Sequence, residues 1–305
     1  MKETILITGG TGLVGYQLQK LLPEAICIGS EFDLRDAIVV NQLFEKIKPT
    51  KVIHCAAKVG GLLGNMNHKG EFFYDNIMMN TNVIEACRVH NVEKLVSFLS
   101  TCVFPNDVEY PLTEKKIHIG PPHNSNDAYS YAKRMADVQI RAYNEQYGLN
   151  YTSVVPTNIY GQNDNFDLEN GHVVPSLIHK CYLAKQNNED FRIWGSGKPL
   201  REFIHSSDIA KLTVWALDNY TELEPIILST SDEVTIKHVA ELIAKEFDYE
   251  DRIVFETDKP DGQHRKPSDN AKLKKYLPDY IFMSVEDGIK ETVAWFNDNY
   301  KEARK

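Results

Sequence analysis

The chain has 305 residues, 42% of them hydrophobic and 25% charged, with a formal net charge of −9. That length and mixture fit one large or two ordinary globular domains, and an acidic balance without a Lys/Arg block argues against a surface that grips nucleic acid. No run approaches the roughly 18–20 apolar residues of a membrane span, and the five scattered cysteines, lacking any CxxC pair, argue against a disulfide framework or a bound metal.

The first half alternates short apolar runs with amphipathic stretches. "TILITG" predicts a strand, "GLVGYQLQKLL" a helix and "AICIG" a second strand ending at Ile28; "AIVVNQLFEKIK" is a helix and "KVIHCAA" a strand. The long helix "FFYDNIMMNTNVIEACRVH" leads to the strand "KLVSFLS", the helix "SYAKRMADVQIRAYNEQYG" closes at Gly148, and "NYTSVVP" is a further strand. This alternation predicts an α/β fold with a Rossmann-type, doubly wound parallel sheet. After Pro156 the rhythm breaks. Residues 158–175 are dense in Asn, Asp, Gly and Pro and predict an ordered loop, followed by the helix "SLIHKCYLAK" and a strand, turn, strand in "FRIWGSGKPLREFIH". "TIKHVAELIAKEF" and "VEDGIKETVAWFNDNYKEA" predict two more helices. The expected division is a nucleotide-binding domain over 1–160 with about 202–228, and a smaller α/β substrate domain over 161–201 and 229–305. "MKETILITGG" is too short an apolar run, too soon broken by glycine, for a secretion signal. Cytoplasm is the expected compartment.

"ITGGTGLVG" sets Gly9, Gly12 and Gly15 in a GxxGxxG pattern between strand and helix, and Gly10, Gly12 and Gly15 also satisfy GxGxxG. With Thr11, Leu13 and Val14 between them, these residues predict a loop whose backbone meets the pyrophosphate of a dinucleotide. The residue after the second strand selects NAD or NADP. An acid there holds a ribose 2′-hydroxyl and repels a 2′-phosphate. Gly29 leaves room for a phosphate and Ser30 can donate to one, which favours NADP(H). Glu31 reverses that preference if the strand runs two residues further, and Asp33 is expected to face the adenine.

"AYSYAKRMADV" places Tyr129 and Lys133 on one helical face, where an ammonium favours the phenolate and lowers the tyrosine pKa. Tyr131 has no such partner, because Met135 stands four residues on. Ser100 closes the fourth strand on the side where open α/β sheets bind ligands. Ser, Tyr and Lys over a dinucleotide site resemble a short-chain dehydrogenase/reductase of the extended, nucleotide-sugar-modifying kind. Cys102, in "LSTCVFP", is either packing or a base toward a carbon acid beside a ketone. His172, near its unperturbed value, suits the complementary acid.

"AAKVGGLLGN", "STCVFP", "YSYAKR", "PTNIYGQNDNF", "GHVVPSLIHK", "WGSGKPLREF" and "KPDG" together resemble the GDP-L-fucose synthase family over essentially the whole chain. The resemblance implies conversion of GDP-4-keto-6-deoxy-D-mannose by epimerisation at C3 and C5 and NADPH-dependent reduction at C4. It implies that Cys102 and His172 are base and acid, that Ser100 and Tyr129 hold O4, and that Lys133 tunes Tyr129 and binds cofactor. Further cofactor contacts implied are Ala56, Ala57, Leu99, His172, Pro156, Asn158 and Ile159, the last three beside the nicotinamide. Asn158, Lys180, Trp194, Arg201 and Asp261 resemble the GDP-sugar contacts, although Trp194 also reads as core and Lys180 as a solvated helix face. Some bacterial members carry an Arg after the second strand where this chain has Gly29 and Ser30, which leaves Arg35 to supply the charge. A homodimer through the helices near 71–90 and 129–147 is implied. The rivals are another epimerase, dehydratase or reductase of this fold, and a non-catalytic NADP(H)-sensing scaffold. Absence of an acid pair after Ser100 disfavours the dehydratase.

Overall fold

Residues 3–259, 261 and 263–305 are described in the computed structural model, so Pro260 and Gly262 of "KPDG" lie outside the described residues. In chain order the elements are β1 (Ile5–Thr8), α1 (Leu13–Leu21), β2 (Ile26–Ile28), α2 (Ala37–Ile47), β3 (Lys51–His54), α3 (Leu62–Asn67), α4 (Lys69–Val89), β4 (Lys94–Phe98), α5 (Asp127–Tyr147), β5 (Tyr151–Pro156) and β6 (Asn158–Tyr160). They continue with α6 (Val173–Asn187), β7 (Phe191–Trp194), β8 (Leu200–His205), α7 (Ser206–Asn219), β9 (Ile226–Leu228), β10 (Glu233–Thr235), α8 (Ile236–Glu246), β11 (Ile253–Glu256), α9 (Ala271–Tyr276) and α10 (Val285–Asp298).

The main sheet runs β2-β1-β3-β4-β5-β9, and every pairing in it is parallel. Strand order reverses between β1 and β3, which opens a crevice outside their C-terminal ends. β4 and β5 are buried along their whole length because helices cover both faces, so they read as unbroken runs rather than alternations. One core joins α2, α4 and α5 to the sheet through Leu43, Phe44, Val83, Ile84, Ala136 and Ile140. A second core packs α1 and α7 on the opposite face through Val14, Leu18, Ile209 and Leu212. α5 ends at Gly148, whose φ of +67° gives the left-handed cap that glycine adopts without a Cβ penalty.

A third core, built on Tyr160, Phe166, Ile178, Phe191, Val239, Ile243 and Phe296, unites α6, α8 and α10 with the smaller sheets β10-β8-β6 and β11-β7. Two expectations change here. The stretch 158–175 is not wholly irregular, because β6 pairs in parallel with β8, Asn158 opposite Phe203. α6 starts at Val173, capped by His172, three residues before the expected helix. The expected strand, turn, strand is present as β7 and β8, with Gly195 and Gly197 at φ +79° and +71° in the turn, and β7 pairs with β11 while β8 pairs with β6 and β10. α7 and β9 are absent from the sequence reading. β9 has only three residues, all buried, too few for a periodic signal.

α1 lies close against the glycine loop. A Cβ on Gly15 would stand 2.3 Å from the Gly9 carbonyl oxygen and 2.5 Å from Gly10 Cα, so the backbone itself would have to move. Gly15→Ala is expected to destabilise the fold by about 1–3 kcal/mol, the usual range for overpacking. An unchanged midpoint in urea unfolding would contradict this packing.

Candidate active site

The glycine loop is held from three sides. Gly10 N–H donates to the Ile28 carbonyl over 2.8 Å, Gly12 N–H to the Gly9 carbonyl over 3.0 Å, and Gln19 Nε2 to the Gly10 carbonyl over 2.7 Å. Gly9 has φ +70°, and a Cβ there would meet Ala56 N at 2.7 Å, so the ends of β1 and β3 touch. Gly12 caps α1 with no side-chain cap, which leaves the first helical N–H groups facing the crevice. Ala56 and Ala57 continue from β3 along the same rim, partly buried. This cradle suits a pyrophosphate.

β2 ends at Ile28 as expected, with Ser30 exposed after it. The acids behind it are placed differently from the sequence reading. Glu31 folds back, and its Oε1 accepts from Gly29 N–H over 2.7 Å. Asp33 is engaged by Arg35 through Nε and Nη2, both at 2.8 Å, which holds its carboxyl down at about 2. Arg35 also donates to Asp75 at 3.0 Å, so its charge is already shared between two carboxylates.

At the end of β4, Leu99 is buried and its N–H donates to Val154 over 2.8 Å. Ser100 lies two residues beyond the strand, with extended backbone, and caps the 3₁₀ turn Thr101–Val103; its Oγ accepts from Cys102 N–H at 3.4 Å. Arg134 clamps that turn to α5 by donating to the Val103 carbonyl at 2.6 Å and to Gly120 at 2.7 Å. Lys133 is buried and donates to the Phe98 carbonyl over 2.8 Å, 5.9 Å from the Tyr129 ring centre. Burial brings Lys133 down to about 8, with the nearby thiols Cys102 and Cys55 resisting.

Burial also pushes Tyr129 well above the usual phenol value, and the Cys102 thiol adds to the rise. The expected lowering by Lys133 does not appear here, because burial of the phenol and the neighbouring thiol set the direction. A phenol kept protonated is a proton donor. Behind Lys133, His54 links Thr8 Oγ1 at 2.7 Å to Asn80 Oδ1 at 3.0 Å, and burial and the lysine charge hold it neutral, at about 3.

His172 stands at the start of α6 and opens onto a small cavity of about 60 Å³ shared with Asn158, Ile159, Val174, Arg201 and Phe203. Desolvation lowers it from the ordinary histidine value, although its side chain remains open to solvent. Asn158 follows the buried Pro156 and Thr157 and donates to the Glu202 carbonyl at 2.7 Å. In the loop between, Asn163 Nδ2 donates to Thr11 O at 2.9 Å, which ties this cavity to the glycine loop.

The residues expected at the GDP-sugar form a second group. Trp194 is 58% exposed, which removes the core reading, and Lys180 Nζ lies 5.0 Å from its ring centre. Asp261 accepts from Ser196 N–H at 2.8 Å and Ser196 Oγ at 2.6 Å beside the Gly195 turn. Arg201 donates to the Leu200 and Gln263 carbonyls, each at 2.7 Å. Residues 263–268 bridge the two groups: Gln263 takes Arg201, and Lys266 Nζ donates to Thr101 O at 2.8 Å, next to Cys102.

Residues 5–228 match the model of the NAD dependent epimerase/dehydratase family. The GDP-L-fucose synthase of Dictyostelium discoideum is 51% identical over 100% of this chain and 98% of its own, and that of Escherichia coli K12 is 34% identical over 99% of each. A solved GDP-L-fucose synthetase from Naegleria fowleri bound to NADP superposes with a TM-score of 0.94 at 48% identity, covering 100% of this chain and 95% of that one. The chain belongs to the GDP-L-fucose synthase family.

Within this family member, sequence reasoning passed over Arg134, Lys266 and Glu202. Each is a charged residue in a stretch whose role appears only through tertiary contacts. Glu202 is buried on β8 and accepts from Ser229 Oγ at 2.9 Å, Ser268 N–H at 2.7 Å and Ser268 Oγ at 2.5 Å. It pins residues 263–268 in place, although burial raises its carboxyl above the ordinary value. Glu202→Gln replaces an acceptor by a donor among three donors, and is expected to cost about 1–3 kcal/mol. An unaltered melting transition would show that Glu202 does not anchor this segment.

Proposed function

We propose that this protein converts GDP-4-keto-6-deoxy-D-mannose to GDP-L-fucose by C3 and C5 epimerisation followed by NADPH-dependent reduction at C4. The observation that carries the reading is Lys133 bonded to the last residue of β4, with Tyr129 one turn earlier on α5 and Ser100 and Cys102 on the turn that follows, in a chain that matches GDP-L-fucose synthases end to end. The glycine cradle, the buried Lys133 and the Pro156–Ile159 segment between β5 and β6 fit a nicotinamide dinucleotide. When bound, that cofactor supplies the hydride for C4.

The 4-keto group acidifies the C–H bonds at C3 and C5 by stabilising an enolate. Cys102, as thiolate, takes a proton from one face and His172 returns one to the other, which inverts the centre. Ser100 and Tyr129 hold O4, and Tyr129 gives its proton to the alkoxide left by reduction. Asn158 and Arg201 share the cavity with His172. With Lys180, Trp194 and Asp261 they take the GDP moiety, Arg and Lys on phosphates and the indole on an apolar face.

The same reading assigns 1–160 with about 202–228 to cofactor and 161–201 with 229–305 to substrate; the main sheet and the smaller sheets have their own cores, with Tyr160 and Phe203 packing into the latter and Leu273 into the former. A homodimer through α4 and α5 is supported by Phe73, Tyr74, Tyr131, Met135 and Val138, apolar side chains exposed on those helices. Cytoplasm is supported by five free cysteines. Among the described residues no helix is long and apolar enough to cross a membrane.

Cys102→Ser is expected to abolish solvent proton exchange at C3 and C5 while leaving NADPH binding intact, and Tyr129→Phe to slow reduction more than exchange. Equal loss of both half-reactions in both variants would contradict the division of roles. Lys133 supplies a separate test. It is charged below about pH 8 and neutral above, so affinity of the free enzyme for NADPH should weaken as pH rises through that value. Titrations from pH 6.5 to 9.5 that give a flat profile would contradict a charged Lys133 at the cofactor.

A further inference from the structure

Between the glycine loop and the end of β2, the rim of the crevice carries negative rather than positive charge. Glu31 Oε1 accepts from Gly29 N–H at 2.7 Å. A Cβ on Gly29 would stand 2.8 Å from Glu31 Oε2 and 2.7 Å from Thr11 Oγ1, so the carboxylate lies across Gly29 beside the loop that meets the pyrophosphate. In doubly wound folds this is where the adenosine ribose 2′ position is read. A carboxylate there accepts a 2′-hydroxyl and repels a 2′-phosphate of about −2 charge.

The neighbouring cations do not offset it. Arg35 is held by Asp33 and Asp75, at 2.8 and 3.0 Å, and Lys58 by Glu71 and Asp75, at 2.8 and 3.0 Å. Each cation is thus shared between two carboxylates, and a 2′-phosphate would have to draw Arg35 out of a bidentate pair. Glu31 itself is exposed, with only the backbone N–H to hold it, so it can also swing aside. The favourable groups for a 2′-phosphate that remain here among the described residues are neutral hydroxyls, those of Ser30 and Thr11.

We propose that Glu31 is the cofactor-selecting residue of this chain, and that it narrows the preference for NADPH by offering its carboxylate to the 2′-hydroxyl of NADH. This rests on the reading of the chain as an NADPH-dependent reductase but asks a different question of it. The wild-type enzyme then binds NADPH and NADH with dissociation constants within roughly tenfold of each other. Glu31→Gln, which keeps size and removes charge, tightens NADPH by roughly fivefold or more and leaves NADH unchanged or weaker.

The test is equilibrium titration of both reduced nucleotides, followed by nicotinamide fluorescence without substrate, on wild type, Glu31→Gln and Glu31→Lys. Tighter NADPH in both variants, largest in Glu31→Lys, supports the proposal. NADPH affinity unchanged or weakened in both overturns it and leaves the NADPH-dependent reading standing. Failure of the wild type to bind either nucleotide overturns the reading and the proposal together. Because Glu31 is exposed, the variants are expected to fold, and their circular dichroism should match the wild type.

Discussion

From inside the protein, where water cannot reach it, Lys133 donates to the Phe98 carbonyl at the last residue of β4. Burying an ammonium is costly, and the cost shows in a value depressed to about 8. In return the lysine locks α5 to the strand end, and the rest of the site inherits that position. One turn earlier on α5, the Tyr129 ring stands with its centre 5.9 Å from the same ammonium. One residue later, Arg134 holds the Thr101–Val103 turn that carries the thiol. The sheet, with β4 buried on both faces, gives this arrangement a rigid base.

The remaining residues are delivered by a different core. β6 and β8, paired in parallel, place Asn158 and Arg201 on the cavity that His172 opens onto, and Glu202 fastens residues 263–268 so that Lys266 reaches back to Thr101. One strap, residues 263–268, thus connects the turn that carries the Cys102 thiol with the strand that carries Arg201 and Glu202. Burial sets the protonation states along this path: Tyr129 is held as a donor and His54 as a neutral link.

Much of this is legible in the sequence because it is local. The glycine spacing, Tyr129 with Lys133 one helical turn apart, and the apolar runs of β1, β3, β4 and β5 each carry their own periodic or motif signal. β2 ends at Ile28 where the pattern puts it. What stayed hidden is non-local. Three-residue strands such as β6 and β9 exist because β8 and β5 offer them partners. The turn of Glu31 back onto Gly29 and the capture of Arg35 by Asp33 and Asp75 are side-chain choices that residue order does not encode. Likewise, nothing in "YSYAKR" says that the ammonium will face a carbonyl rather than the phenol.

Central to the account is that one site performs both proton exchange and reduction. Turnover of GDP-4-keto-6-deoxy-D-mannose in heavy water with NADPH, followed by NMR of the product sugar, tests this most directly. The account predicts one NADPH oxidised per product, with deuterium at both C3 and C5. Oxidation of NADPH with neither position labelled would contradict it, leaving a simple 4-reductase in which the Cys102 thiol only fills space.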